Sequence, residues 1–323
     1  MGVHIENANV VTADIEASNG VIHVIDAVIL PDIELPEVDP LIVSGDIITA
    51  GSSTVFPLTE AVAARFNAEG YTGTITVDSI GTGAGFERFC ANGETDISNA
   101  SRAIKQSEVD ACGQLTPPRS PLEFRVGTDG LAVVVSAGND FVQDVTAEEL
   151  AVIFSTAQNW SDVRPEWPAE PILRFIPGTD SGTFDYFVEA VFEGDEAPIL
   201  AAANTQLSED DNVLVQGVES SPYAVGFFGY AYYVGEGERL RTVAINGVQP
   251  TTESVENGSY FLARPLFIYS DAGIIAAKPQ VGSFINFYLT HAVEECANVG
   301  YFPPSAFALN LAKLNLLANI PSM

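Results

Sequence analysis

Alternating β-branched and polar positions fill residues 3–31, VHIENANVVTADIEASNGVIHVIDAVILP, and predict strands. Asn19-Gly20 between two such runs predicts a two-residue hairpin. A segment this short is too small to stand alone as a domain. It is followed by PDIELPEVDPLIVSGD, where Pro31, Pro36 and Pro40 among acidic residues predict an extended linker over 32–45. The pattern changes at Asp46. The apolar run DIITAG leads into Ser52-Ser53-Thr54, and LTEAVAARFNAEG then carries apolar residues at helical spacing up to Gly70. TITVDSIGTGAGFERFCANG repeats the order of strand, glycine-rich turn and helix. So do EFRVGTDGLAVVVS with AEELAVIFS, and ILRFIPGTDSGTFDYFVEAVF. This alternation predicts an α/β fold with mainly parallel sheets. It runs on past the length of one ordinary domain, so two lobes are expected.

Composition adds exclusions. The chain has 323 residues, 47% hydrophobic and 17% charged, which excludes disorder through high charge and low hydrophobicity. The formal net charge of −30 gives no general attraction to nucleic acid or to anionic membranes, and no basic stripe offsets it. An acidic excess suits a saline or extracellular medium. No run reaches the 18 or more apolar residues of a membrane span. The N-terminus lacks the charged and apolar regions of a signal peptide, so the chain is either cytosolic or begins downstream of its export signal. Cys90 and Cys112 permit a disulfide and leave Cys296 odd; three buried free thiols are the alternative. His4, His23 and His291 have no metal-ligand spacing, so no metal and no cofactor are expected.

Three strand-to-helix turns share small, hydroxylated residues: Gly51-Ser52-Ser53-Thr54-Val55, Gly81-Thr82-Gly83-Ala84-Gly85 and Gly178-Thr179-Asp180-Ser181-Gly182-Thr183. Unpaired N–H groups of a first helical turn, with the positive end of the helix dipole, form an anion site. Hydroxyls add donors without charge. Each turn alone reads as an N-cap; the three together point to an oxyanion ligand. Nucleotide loops do not fit: there is no Gly-Lys pair, and the glycine turn is one residue short of the dinucleotide spacing.

From Asp46 onward the chain resembles the phosphate-binding proteins of ABC-type phosphate transporters (PstS-like, class II periplasmic solute-binding proteins). The resemblance rests on AGSSTVFPLTEAVA, GTGAGFERFCANGETDISNASRAI, VGTDGLAVVVS, IFSTAQNWSDV, PGTDSGTFDYF and VGFFGYAYY. It implies two α/β lobes joined by crossing strands, with orthophosphate enclosed between them. The expected division is 46–128 with 263–323 in the first lobe and 129–262 in the second. By position, the resemblance assigns phosphate to Ser53, Thr54, Val55, Thr82, Ser181, Gly182 and Thr183. Two positions depart from it. Ser101 stands where an aspartate takes the ligand's proton and rejects sulfate, and Pro177 stands where an arginine is expected. Arg102 is the natural substitute cation, with a structural ion pair as its alternative. Asp129 and Asp180 are possible supporting residues, or a turn cap and a helix-start acid respectively. Cys90 and Cys112 fall where a branch of this family has a disulfide. Phe227, Phe228, Tyr230, Tyr232 and Tyr233 read as core and cleft-wall packing.

The resemblance also implies an extracytoplasmic monomer that captures phosphate and delivers it to ABC-transporter permease subunits. Residues 1–31 resemble the C-terminal end of a fasciclin-like domain, expected to be the least anchored part of the chain. The alternatives are a sulfate or other oxyanion binder, and an adhesive surface protein whose anion site is a relic. Serine hydrolysis through Ser181 or Ser53 lacks a G-x-S-x-G elbow, and His291 is its one candidate base, so no enzyme is expected.

Overall fold

The computed structural model describes residues 4–5, 8–25, 33–179, 181–230, 233 and 239–320. At the N-terminus, β1 (His4–Ile5), β2 (Ala8–Ala17) and β3 (Gly20–Ile25) form a small antiparallel sheet turning at Ser18-Asn19. Its apolar residues Val11, Ile15, Val21, Ile22 and Val24 are exposed, and none joins a buried core. Residues 33–45 are not a free linker. Leu35, Val38 and Val43 pack on the first lobe's core, and Asn286 and Asn310 hydrogen-bond to the backbone at Pro36 and Ile33.

A nine-stranded sheet organises the rest. It includes β4 (Ile47–Gly51), β5 (Ile75–Ser79), β6 (Ile97–Ala100), β7 (Pro121–Ser136), β9 (Leu173–Pro177), β10 (Thr205–Ser208), β11 (Ala224–Gly229) and β14 (Ala263–Asp271), ordered 10-9-11-7-14-6-4-5, with β12 (Leu240–Thr242) pairing antiparallel to β7 off this path. β8 (Asp144–Val145) and β13 (Ala244–Ile245) form a separate parallel pair, and with β6–β14 also antiparallel the large sheet is mixed rather than mainly parallel. Pairs β4–β5, β4–β6, β9–β10 and β9–β11 are parallel, as the alternation predicts. The central pairings of β7 with β11 and β14 are antiparallel, because the chain crosses between lobes along β7 and returns along β14. The 16-residue β7 pairs with β14 up to Gly130 and with β11 from Leu131.

The buried apolar residues part at the same place. One core gathers Ile47, Phe66, Phe124, Val126, Leu266 and the long helix Pro279–Val299. Another gathers Leu131, Val133, Trp160, Phe187, Phe227 and Leu262, with Phe302 reaching in from the C-terminal segment. Two cores joined by crossing strands make a two-lobed α/β fold.

Cys90 and Cys112 are disulfide-bonded, tying the turn after α2 (Thr82–Phe86) to α3 (Gln106–Gly113). Closing a 22-residue separation stabilises by about 3 kcal/mol through unfolded-state entropy. The double variant Cys90→Ala/Cys112→Ala should therefore lower the thermal midpoint followed by circular dichroism; an unchanged midpoint would remove that role. Cys296 is a buried free thiol donating to the Val126 carbonyl, and burial pushes its pKa up to about 12.

Candidate anion-binding cleft

The three sequence-predicted turns open onto the space between the lobes. α1 (Phe56–Ala68) starts at Val55 with no side-chain cap; the Phe56 N–H donates to the Ser52 carbonyl at 3.1 Å and Pro57 has none, so the open donors at this turn are those before the helix. Ser53 lines the cleft, with Thr54 and Val55 buried directly behind it. The Tyr301 hydroxyl donates to the Thr54 carbonyl at 2.8 Å and fixes that turn. Glycine is required here at two points. Gly51 has φ +145, and a Cβ would lie 2.1 Å from the Asn99 carbonyl oxygen; a Cβ on Gly85 would lie 2.5 Å from the Gly51 Cα. The first two turns can lie against each other because both positions lack side chains.

Thr82 begins α2, and its Oγ1 sits 3.1 Å from Ser101 Oγ while accepting the Ser101 N–H at 3.2 Å. From the second lobe, Ser181 caps α5 (Gly182–Phe192) by accepting the Thr183 N–H at 3.2 Å. Gly182 and Thr183 face the larger part of the cleft, about 800 Å³, across from Ser53 and Tyr301. A separate pocket of about 260 Å³ is lined by Thr82, Ser101 and Arg102 from one side and Tyr186, Glu189 and Arg264 from the other, and the Asp129–Arg264 pair links it to the larger one. Asp180 lies outside the described residues.

Arg102 is held in an ion pair. Its Nη1 and Nη2 bond to the Glu108 carboxylate at 2.9 and 2.7 Å, and its guanidinium lies 5.4 Å from the Phe86 ring centre. Those hydrogen bonds push its pKa up, so it stays charged, with both terminal nitrogens engaged. The cleft holds a second cation that sequence reading missed. Arg264 on β14 pairs in register with Asp129 on β7, and its Nε lies 3.3 Å from the Asp129 carboxylate. Its guanidinium stacks 3.6 Å from the Tyr186 ring centre, Nη1 donates to Glu189 at 3.2 Å, and Nη2 is buried without a partner. Burial pushes the Asp129 carboxyl up, and Arg264 counters this. A guanidinium fixed on one edge and unsatisfied on another is built to receive an oxyanion.

The larger cleft also presents Asp185 and Asp211. Burial pushes both carboxyls up from the usual carboxylate range, and neighbouring carboxylates add to the rise. Phe227 stacks on Phe187 at 3.8 Å and Tyr230 on Phe302 at 4.9 Å, so the aromatic cluster is wall and core; Tyr232 lies outside the described residues. His291 packs on Phe287 in the long helix and is not among the cleft-lining residues. Among the described residues, no group of three or more His, Cys, Asp or Glu is placed to hold a metal, and no helix is long and apolar enough to cross a membrane.

Comparison with known proteins fits this geometry. The sequence model of the PBP superfamily domain matches residues 42–291, and that of the Fasciclin domain matches residues 1–31. The chain is 34% identical to the phosphate-binding protein PstS of Staphylococcus saprophyticus over 263 residues, 80% of each chain. It belongs to the PstS-like members of the PBP superfamily. This is a family of solute-binding proteins, not of enzymes. The PstS-like chain is also 42% identical to protein SphX of Synechocystis sp. over 277 residues, 82% of this chain and 80% of that one. A crystal structure of a possible phosphate binding protein from Planctomyces limnophilus matches with a TM-score of 0.80 and 37% identity, over 86% of this chain and all of that one.

Within this PstS-like fold, Pro177 is buried at the end of β9 and supplies no charge. Arg264 enters from the returning strand instead. The sequence signal that could have found it is modest: a lone arginine in the apolar run ARPLFIYSD, in a chain with only 13 basic residues.

Proposed function

We propose that the protein binds inorganic phosphate between its lobes. One arrangement carries this reading: neutral hydroxyl and N–H donors from both lobes face two pockets that meet at the Asp129–Arg264 pair, where the guanidinium of Arg264 is only partly satisfied. Ser53, Thr54, Val55 and Thr82 supply the first lobe's donors, and Ser181, Gly182 and Thr183 the second's. Ser101 bonds Thr82 and orients it. Arg264 meets the ligand directly, while Arg102, engaged by Glu108, adds positive potential. Asp129 positions Arg264. The relatives named as phosphate-binding support phosphate as the ligand.

The surface charge does not oppose this. At a Debye length of about 8 Å, distant carboxylates are largely screened from an enclosed site. The lobes divide at 128/129 and 262/263, and closure over the ligand is coupled to binding because both lobes donate. In the cell the protein acts outside the cytoplasm as a monomer and hands phosphate to ABC-transporter permease subunits. A second reading, sulfate, follows from Ser101, which repels a fully ionised ligand less than an aspartate does.

Isothermal titration with phosphate, sulfate and arsenate tests the ligand. Thr54→Ala, Thr82→Ala and Ser181→Ala should each weaken phosphate by about tenfold, the loss of one hydrogen bond to a charged group. Unchanged affinity in all three would place the site elsewhere. Tight sulfate binding with no phosphate binding would overturn the ligand.

A further inference from the structure

Glu189 presents a paradox in a site that receives anions. It stands on α5, the helix whose N-terminus carries Ser181-Gly182-Thr183, and it lines the smaller of the two pockets between the lobes. There it bonds Arg264 Nη1 at 3.2 Å, in a cavity shared with Arg102, Thr82 and Ser101. Arg264 thus has two carboxylate partners of opposite character. Asp129 is buried, lies on the crossing strand and holds Nε. The Glu189 side chain is 73% exposed and covers the outer nitrogen, leaving the buried Nη2 with no partner. A tetrahedral oxyanion binding Arg264 through both terminal nitrogens needs the position that Glu189 occupies.

We propose that Glu189 is a tethered placeholder for the anion: it occupies the outer edge of Arg264 in the empty site and leaves when phosphate enters. This rests on the reading of the cleft as a phosphate site. Tethering sets the selectivity. A carboxylate held by the same chain, here from the facing lobe, competes at a high effective concentration. It therefore excludes monovalent inorganic anions such as chloride, which offer one charge and no hydrogen-bonding array. Phosphate brings two charges and engages donors of both lobes at once, and so displaces it. The mostly exposed Glu189 makes a weak pair that gives way readily, whereas the Asp129 pair does not. The device fits an acidic protein working in a saline medium, where free chloride is the commonest competitor for a guanidinium.

The test is phosphate titration of the full chain and of Glu189→Gln at constant ionic strength, in sodium chloride and in sodium gluconate as the chloride-free salt. In gluconate, Glu189→Gln should bind phosphate about fivefold tighter than the unsubstituted chain. In chloride it should lose most of that gain, while the unsubstituted chain changes by less than about twofold between the two salts. Equal or weaker phosphate binding by Glu189→Gln in gluconate overturns the placeholder; weaker phosphate with gained sulfate would make Glu189 the acceptor of the ligand's proton instead. If the unsubstituted chain is silent and Glu189→Gln binds phosphate, Glu189 is a fixed block and not a displaceable placeholder, and both the placeholder and the phosphate reading of the native cleft fall. If neither binds, both fall.

Discussion

Arg264→Ala should reduce phosphate affinity by about 100-fold or more, the largest loss of any single substitution in the cleft. Truncating one member of a buried, hydrogen-bonded charge pair costs about 2–5 kcal/mol, much of it from the partner left behind. Here that partner is Asp129, buried and with its carboxyl already pushed up by desolvation. Without Arg264 it either stays charged and repels the ligand or takes up a proton and donates to nothing. The two-nitrogen edge offered to an oxyanion is lost as well. Arg264→Lys should fall between the two, because a lysine keeps the charge but not the planar fork. Titration of both variants decides the matter, with tryptophan fluorescence as a control for folding. Native affinity in Arg264→Ala would remove Arg264 from the site.

Arg174→Met should produce the largest loss of stability, about 3–5 kcal/mol, confined to the second lobe. Arg174 lies on β9 with no exposed surface and no carboxylate partner among the described residues. Its nitrogens instead donate to the carbonyls of Ile153 at 2.6 Å, Ala157, Ala203 and, at 3.4 Å, Ile172. Ile153 ends the helix α4 (Ala147–Ile153), where terminal carbonyls lack partners within the helix, so the guanidinium serves as its cap. Burial lowers the Arg174 pKa to about 10, which still leaves it charged at neutral pH. A methionine fills the space and leaves at least three buried carbonyls unsatisfied. The chain's two tryptophans, Trp160 and Trp167, both lie in this lobe's core, so their fluorescence reports its unfolding alone. The urea midpoint should drop by more than about 1 M at an ordinary denaturant dependence. An unchanged midpoint would mean that water or relaxation satisfies those carbonyls.

Features set by neighbours in the chain were legible in advance. The apolar period of ILRFIP and the Ser-Gly-Thr turn after it predict β9, the cap at Ser181 and the start of α5, and all three are present. The segment 32–45 reads as a linker because its prolines and acids are visible locally. What holds 33–45 in place, Asn286 and Asn310, lies more than 240 residues away. The antiparallel central strands were also hidden, since the alternation of elements does not say which strand crosses back. The disulfide was open on spacing alone and was implied only by family resemblance.

The sequence by itself determined the α/β class, the three hydroxylated turns that precede helices, and the family. These rest on periodicity, capping and glycine conformations, which act over a few residues. Only the tertiary structure decided where the positive charge is. Arg102 stands beside a candidate loop in sequence, yet Glu108 takes its nitrogens. Arg264 and Asp129 are separated by 135 positions and meet because β7 and β14 pair in that register. Register is fixed by packing along a whole strand, not by its local composition. The position of Arg264 beside Asp129 is therefore set by the pairing of two strands.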